Sequence, residues 1–153
     1  MIPTKQARDD EFVVPIRDES DLGSARMLAR EICKLVDVRG YQAQKVVTAV
    51  SELARNIARY SRGGRLRFRI DSLEGSPESH RDGRNDGAIV VVADDDGPGI
   101  PNLDEILSGN YRSRTGLGRG LLGSRDLADR FDILTGPEGT TVTAEFRYSR
   151  GKP

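Results

Sequence analysis

Hydrophobic and polar positions change their period several times along the chain, and each change marks an element. Glu11 to Arg17 (EFVVPIR) is a short extended run, and Pro15 cannot donate to a ladder, so an edge strand is predicted. Asp18 to Asp21 then offers capping carboxylates. Leu22, Ala25, Leu28, Ala29, Ile32 and Leu35 recur at helical spacing, which predicts a helix over 20–38 that Gly40 ends. A second helix is predicted from Gln42 to Tyr60, stopped by Gly63-Gly64. At about 100° per residue, its Val46, Val50, Leu53 and Ile57 fall within a stripe roughly 60° wide, the predicted core face.

Arg65 to Leu73 (RLRFRIDSL) alternates polar and apolar residues, the pattern of a strand with one solvated face. Residues 74–87 (EGSPESHRDGRNDG) hold no apolar residue and many turn formers, so a flexible connection is expected. Ala88 to Ala93 is continuously apolar and reads as a strand at the centre of its sheet. A short helix fits Leu103 to Leu107, a mobile loop Ser108 to Arg119, and a third substantial helix Leu121 to Phe131. Strands over 131–135 and 140–148 follow, joined by Gly136-Pro137-Glu138-Gly139. There are no internal repeats. Early helices and late paired strands predict an α+β fold: two layers, a mainly antiparallel mixed sheet, and helices on one of its faces.

Composition narrows the picture little. The chain has 153 residues, enough for one domain. One domain is expected over 11–148, with a flexible N-terminus at 1–10 and a tail at 149–153. Lys+Arg and Asp+Glu both number 24, which removes any global electrostatic case for nucleic acid. The single cysteine, Cys33, excludes an internal disulfide and favours a reducing compartment. No apolar run approaches the ~20 residues that span a bilayer, and MIPTKQARDDEF has no apolar signal-peptide core. A cytoplasmic protein without membrane insertion is expected.

Three stretches carry candidate chemistry. Glu52 and Asn56 are i,i+4 neighbours beside the core stripe of the second helix. Such a pair could hold a metal ion, orient a hydroxyl or water, or be an ordinary boundary pair. Asp94-Asp95-Asp96-Gly97-Pro98-Gly99 ends the most apolar strand. A carboxylate there can accept from a ligand amine away from water, and the glycines allow close backbone approach. Calcium is disfavoured, because Gly-Pro-Gly-Ile-Pro removes the middle ligands of an EF-hand loop. Gly118-Arg119-Gly120-Leu121-Leu122-Gly123 fits GxGxxG literally, but it follows a polar loop rather than a strand, which argues against a Rossmann site. A glycine-rich loop opening a helix still presents N–H groups to phosphate. No GxxxxGK[ST] occurs.

Together and in this order, the three resemble the N, G1 and G2 boxes of the GHKL (Bergerat-fold) ATPases and kinases: Glu52-Leu-Ala-Arg-Asn56, Asp95-Asp-Gly97-Pro-Gly99 and Gly116-Leu-Gly118-Arg-Gly120. Within that superfamily the chain is most similar to the anti-sigma-factor-type serine/threonine kinases of the RsbT stressosome type, over about residues 10–148. TAVSELARNI (48–57), DGPGIP (96–101), GLGRGLLG (116–123) and Asp129-Arg-Phe131 carry the likeness.

The resemblance implies ATP and Mg²⁺ as cofactors. By it, Asp95 accepts the adenine amino group, Gly97 and Gly99 let the base lie against the strand end, and Thr140 sits near the adenine. Asn56 is the implied Mg²⁺ ligand and Glu52 the catalytic residue that orients or deprotonates the attacking hydroxyl. Residues 102–120 become the ATP lid, with Gly116, Gly118 and Gly120 receiving phosphate and Arg119 in reach of it. The implied partner is a STAS-domain antagonist as substrate, with a downstream phosphatase, cyclase or sigma-factor regulator beyond it. The alternative is an anti-sigma factor that sequesters a sigma factor and phosphorylates its anti-anti-sigma partner. No histidine lies near the N box, so a histidine-kinase phosphoacceptor is excluded; His80 falls in the polar connection.

Overall fold

The computed structural model describes residues 11–72, 85–100, 103–108 and 117–150. Among these residues five strands and four helices follow in chain order: β1 (Phe12–Ile16), α1 (Leu22–Leu35), α2 (Gly40–Tyr60), β2 (Gly64–Ser72), β3 (Asn85–Asp95), α3 (Leu103–Leu107), α4 (Leu117–Leu127), β4 (Arg130–Gly136) and β5 (Gly139–Arg150). One 3-10 turn, Glu19–Asp21, leads into α1, and Asp18 caps it by accepting from the Ser20 N–H at 2.8 Å.

The strands form one sheet in the order β1-β2-β3-β5-β4. The fold class is the expected α+β, with Pro15 on an edge strand and the Ile89–Val92 run in the central one. All four pairings are antiparallel, so the mixed component of the expectation has no counterpart among the described residues. Alternation sorts the side chains. Leu66 and Phe68 of β2, Ile89, Val91 and Ala93 of β3, and Val142, Ala144 and Phe146 of β5 are buried on one face. They meet Val46, Val50, Leu53 and Ile57 of α2, the stripe its sequence predicted. α2 packs on the sheet with α1 and α4 at its sides. The opposite face carries arginines, carboxylates and threonines.

Several boundaries differ from expectation. Gly40 begins α2 instead of ending α1. The stop of α1 is a Schellman motif built on Asp37, which takes the left-handed conformation at φ 58°: Val38 N–H bonds to Cys33 O at 2.8 Å and Asp37 N–H to Lys34 O at 3.2 Å. β3 begins at Asn85, inside the predicted connection, because Gly87 pairs with Ser72 on one side and Tyr148 on the other. Residues 74–84 lie outside the described residues, as do 1–10 and 151–153. α4 begins at Leu117 within the predicted loop and stops at Leu127, short of Phe131. Among the described residues, no helix is long and apolar enough to cross a membrane.

Candidate functional site

Strand alternation separates the three consecutive aspartates. Asp94 points to the open face, where its carboxylate accepts from Arg67 Nε and Nη2 at 2.8 and 2.7 Å and from Thr141 Oγ1 at 2.9 Å. Asp95 belongs to the helix-covered face and lines a small cavity beneath α2. Asp96 is exposed. Gly97 N–H donates to Asp95 Oδ1 at 2.8 Å, so this glycine holds the carboxylate that its motif places two residues earlier. Burial pushes the Asp95 carboxyl above the usual carboxylate range; the Gly97 and Thr140 backbone donors offset part of that, and the charges of Asp96 and Asp94 add to it.

The cavity lies between α2, the ends of β3 and β5, and α4. Asn56, Asp95, Gly99 and Thr140 line it together with Leu53, Ile57, Tyr60, Ala93, Ile100, Leu121 and Val142. Four of the sequence-predicted residues therefore meet in one place. The apolar walls were named only as core or not at all. Tyr60 had a signal in its i,i+4 spacing from Asn56, which puts both on one side of α2.

Gly99 closes the β3 end of the cavity at φ 87°, and a Cβ there would lie 2.3 Å from Gly136 O. Only glycine fits this approach of two backbones. The next residue is tied down too: Ile100 N–H donates to Thr135 Oγ1 at 2.8 Å. Thr135 Oγ1 in turn lies 2.9 Å from the buried Thr140 Oγ1. The sequence reading did not single out Thr135; its only signal was a hydroxyl opposite Thr140 across the tight β4–β5 hairpin.

At the other end, Gly120 in the first turn of α4 presses on α2. A Cβ there would sit 2.9 Å from Glu52 Oε2 and 3.4 Å from Asn56 Oδ1. Glu52 is beside the cavity rather than in its lining, and Arg55 Nη1 holds its other oxygen, Oε1, at 2.7 Å. Ser124 Oγ donates to Gly120 O at 2.9 Å, fixing this turn from below. Gly118 belongs to the same turn; at Gly120, close packing on α2 outweighs the roughly 1 kcal/mol helix penalty of a glycine. Gly116, the Arg119 side chain, and residues 102 and 109–116 of the expected lid lie outside the described residues.

Asn56 Nδ2 is buried without a hydrogen-bond partner among the described residues. An orphaned buried donor costs about 1–3 kcal/mol, which a polar ligand in the cavity could relieve. No group of three or more His, Cys, Asp or Glu that could hold a metal occurs among the described residues. That leaves one amide oxygen and one adjacent carboxylate, a donor set that suits Mg²⁺, which keeps several waters and takes few protein ligands beside phosphate oxygens.

A partly buried carboxylate, a polar gap on α2 and a glycine-opened helix face each other across one cavity. Residues 14–146 match the model of the histidine kinase-like ATPase domain. The chain belongs to that family. It is 31% identical over 137 residues to the serine/threonine-protein kinase RsbT of Bacillus subtilis (strain 168), covering 89% of this chain and 96% of that protein. This ATPase-domain chain is thus RsbT-like, as its boxes suggested. A histidine kinase domain from the blue-light activated histidine kinase of Erythrobacter litoralis EL346 is also similar, at 20% identity and a TM-score of 0.43, over 84% of this chain and 63% of that one.

Proposed function

We propose that this protein is an ATP-dependent protein serine/threonine kinase whose substrate is a STAS-domain antagonist in a partner-switching pathway of the stressosome type. The observation that carries the reading is the meeting of Asp95, Thr140 and Asn56 in one cavity, with Glu52 beside Asn56 under the first turn of α4. The overall similarity to RsbT supports the same reading.

In this reading Asp95 accepts the amino group of adenine, and Ile57, Ile100, Leu121 and Val142 exclude water from the base. The first turn of α4, with Gly118 and Gly120, offers backbone N–H groups to the phosphates. Asn56 would hold a Mg²⁺ bound with the nucleotide, which would neutralise phosphate charge. Glu52 keeps Oε1 on Arg55, leaving Oε2 to take the proton of the incoming hydroxyl. As the proton moves, that hydroxyl oxygen bonds to the γ-phosphorus, and the bond to the bridging oxygen breaks, so ADP departs with the electron pair. Positioning and charge neutralisation are the main requirements of phosphoryl transfer.

The test is transfer from γ-labelled ATP to STAS-domain proteins of the same genome, with mapping of the labelled residue. Label on a serine or threonine of one STAS protein is expected. A wild-type protein that binds ATP and a sigma factor but labels no STAS protein would replace this reading with the anti-sigma one.

A further inference from the structure

Thr140 lines the cavity as a hydroxyl, and a hydroxyl can show a ligand either a proton or a lone pair. Which one it shows is decided outside the cavity. Among the described residues Thr135 Oγ1 has two hydrogen-bond partners, the backbone N–H of Ile100 at 2.8 Å and Thr140 Oγ1 at 2.9 Å. The Ile100 N–H can only donate, so it occupies a lone pair of Thr135. The proton of Thr135 then has one acceptor left, Thr140 Oγ1. If the bond ran the other way, Thr135 would accept twice and its own proton would have no partner among the described residues. With Thr135 donating, the proton of Thr140 is free for the cavity.

We infer that Thr135 is a specificity-determining positioning residue: it never reaches the base, but it turns Thr140 into a donor beside the acceptor Asp95. The inference rests on the reading of the cavity as a purine-nucleotide site. Asp95 and Thr140 are direct partners in the β3–β5 ladder, so an acceptor and a donor stand side by side. Adenine shows the complementary edge, a 6-amino donor next to the N1 acceptor. Hypoxanthine shows the reverse, a 6-oxo acceptor next to an N1–H donor. Asp95 disfavours the 6-oxo group by charge, and a fixed Thr140 proton disfavours N1–H. Without Thr135's proton, Thr140 can rotate to accept N1–H, and half of the discrimination is lost. The same hydroxyl clamps Ile100, so the wall beside the base and the polarity of the reader are set by one side chain.

The experiment compares binding of ATP and inosine triphosphate by wild-type, Thr135→Val and Thr135→Ser proteins, with thermal unfolding followed on each. Valine keeps the shape and removes the hydroxyl; serine restores it. Wild type should prefer ATP. Thr135→Val should lower that preference by about 3- to 10-fold, the worth of one neutral hydrogen bond, and Thr135→Ser should restore it. A merely structural role would weaken both nucleotides in proportion and leave the ratio unchanged, which would overturn the inference. Should the valine variant not fold, Thr135→Ala carries the same comparison. A wild-type protein that binds neither nucleotide would instead overturn the nucleotide-site reading, a different failure from a preference that survives Thr135→Val.

Discussion

The two faces of the sheet treat charge in opposite ways. On the open face, Arg65, Arg67 and Asp94, Arg69 and Asp71, and Arg130, Arg147 and Glu145 form ion pairs, most of them partly exposed. On the helix-covered face, among the described residues, Asp95 has backbone donors and burial but no cation, and Asn56 has an unmet donor. Neighbouring residues on one strand thus meet contrary surroundings. These open-face charges are paired with one another. The covered face leaves its polar groups incomplete, which costs stability and creates a demand for a ligand.

The sharpest way to break this contrast is at Glu52. Removing a positioned base typically lowers a rate by about 10²- to 10⁴-fold, and Glu52→Gln should do so for phosphotransfer while leaving nucleotide affinity near wild type. Labelling assays alongside calorimetry check both halves. A wild-type rate in the variant would reduce Glu52 to the partner of Arg55.

Asp95→Asn comes next. Losing a charged acceptor is worth roughly 1.5–3 kcal/mol, so ATP affinity should fall about 10- to 150-fold. The unliganded variant should melt no lower than wild type, because the removed charge was one that burial disfavours. A strongly destabilised variant would show that the Asp95 charge supports the fold.

Acid separates the same two effects without a substitution. The folded Asp95 carboxyl titrates above its unfolded counterpart, so its ionised form costs stability, and that cost is relieved as pH falls through the folded value. In the proposed function nucleotide binding requires the ionised form, and it should decline over the same window. Its loss on acidification should therefore begin above the usual aspartate range and vanish in Asp95→Asn, as titrations of wild type and variant would reveal.

The smallest effect is expected on the open face. Asp94→Asn removes a partner of Arg67 and Arg65, worth ~1 kcal/mol or less for partly exposed pairs. Nucleotide affinity should change by less than about twofold by calorimetry. An effect as large as that of Asp95→Asn would mean that the two faces are not independent.

Much of this was legible in the sequence because it depends on period. The α2 stripe, the alternation of β2 and the apolar run of β3 each place their residues on the correct face, and the boxes contain Asn56 and Asp95 of the cavity's lining. What escaped was decided by tertiary contact. Asn85-Asp86-Gly87 are turn formers by composition, yet pairing on both sides makes them strand. Asp37 caps α1 in a role expected of Gly40. Thr135 and Tyr60 are ordinary in sequence, and only folding brings the first to Ile100 and Thr140 and the second to the cavity wall.

The pairing of β3 with β5 has a kinetic consequence. That ladder joins segments separated by α3 and α4, and it is the ladder that brings Asp95 beside Thr140. Contacts so distant along the chain incur loop-closure entropy before they return any stabilisation, which slows folding. The cavity is therefore assembled late: a chain still lacking this pairing can hold α1 and α2 together yet does not bring Asp95 beside Thr140. In a refolding experiment, recovery of ATP binding should lag behind recovery of helical signal.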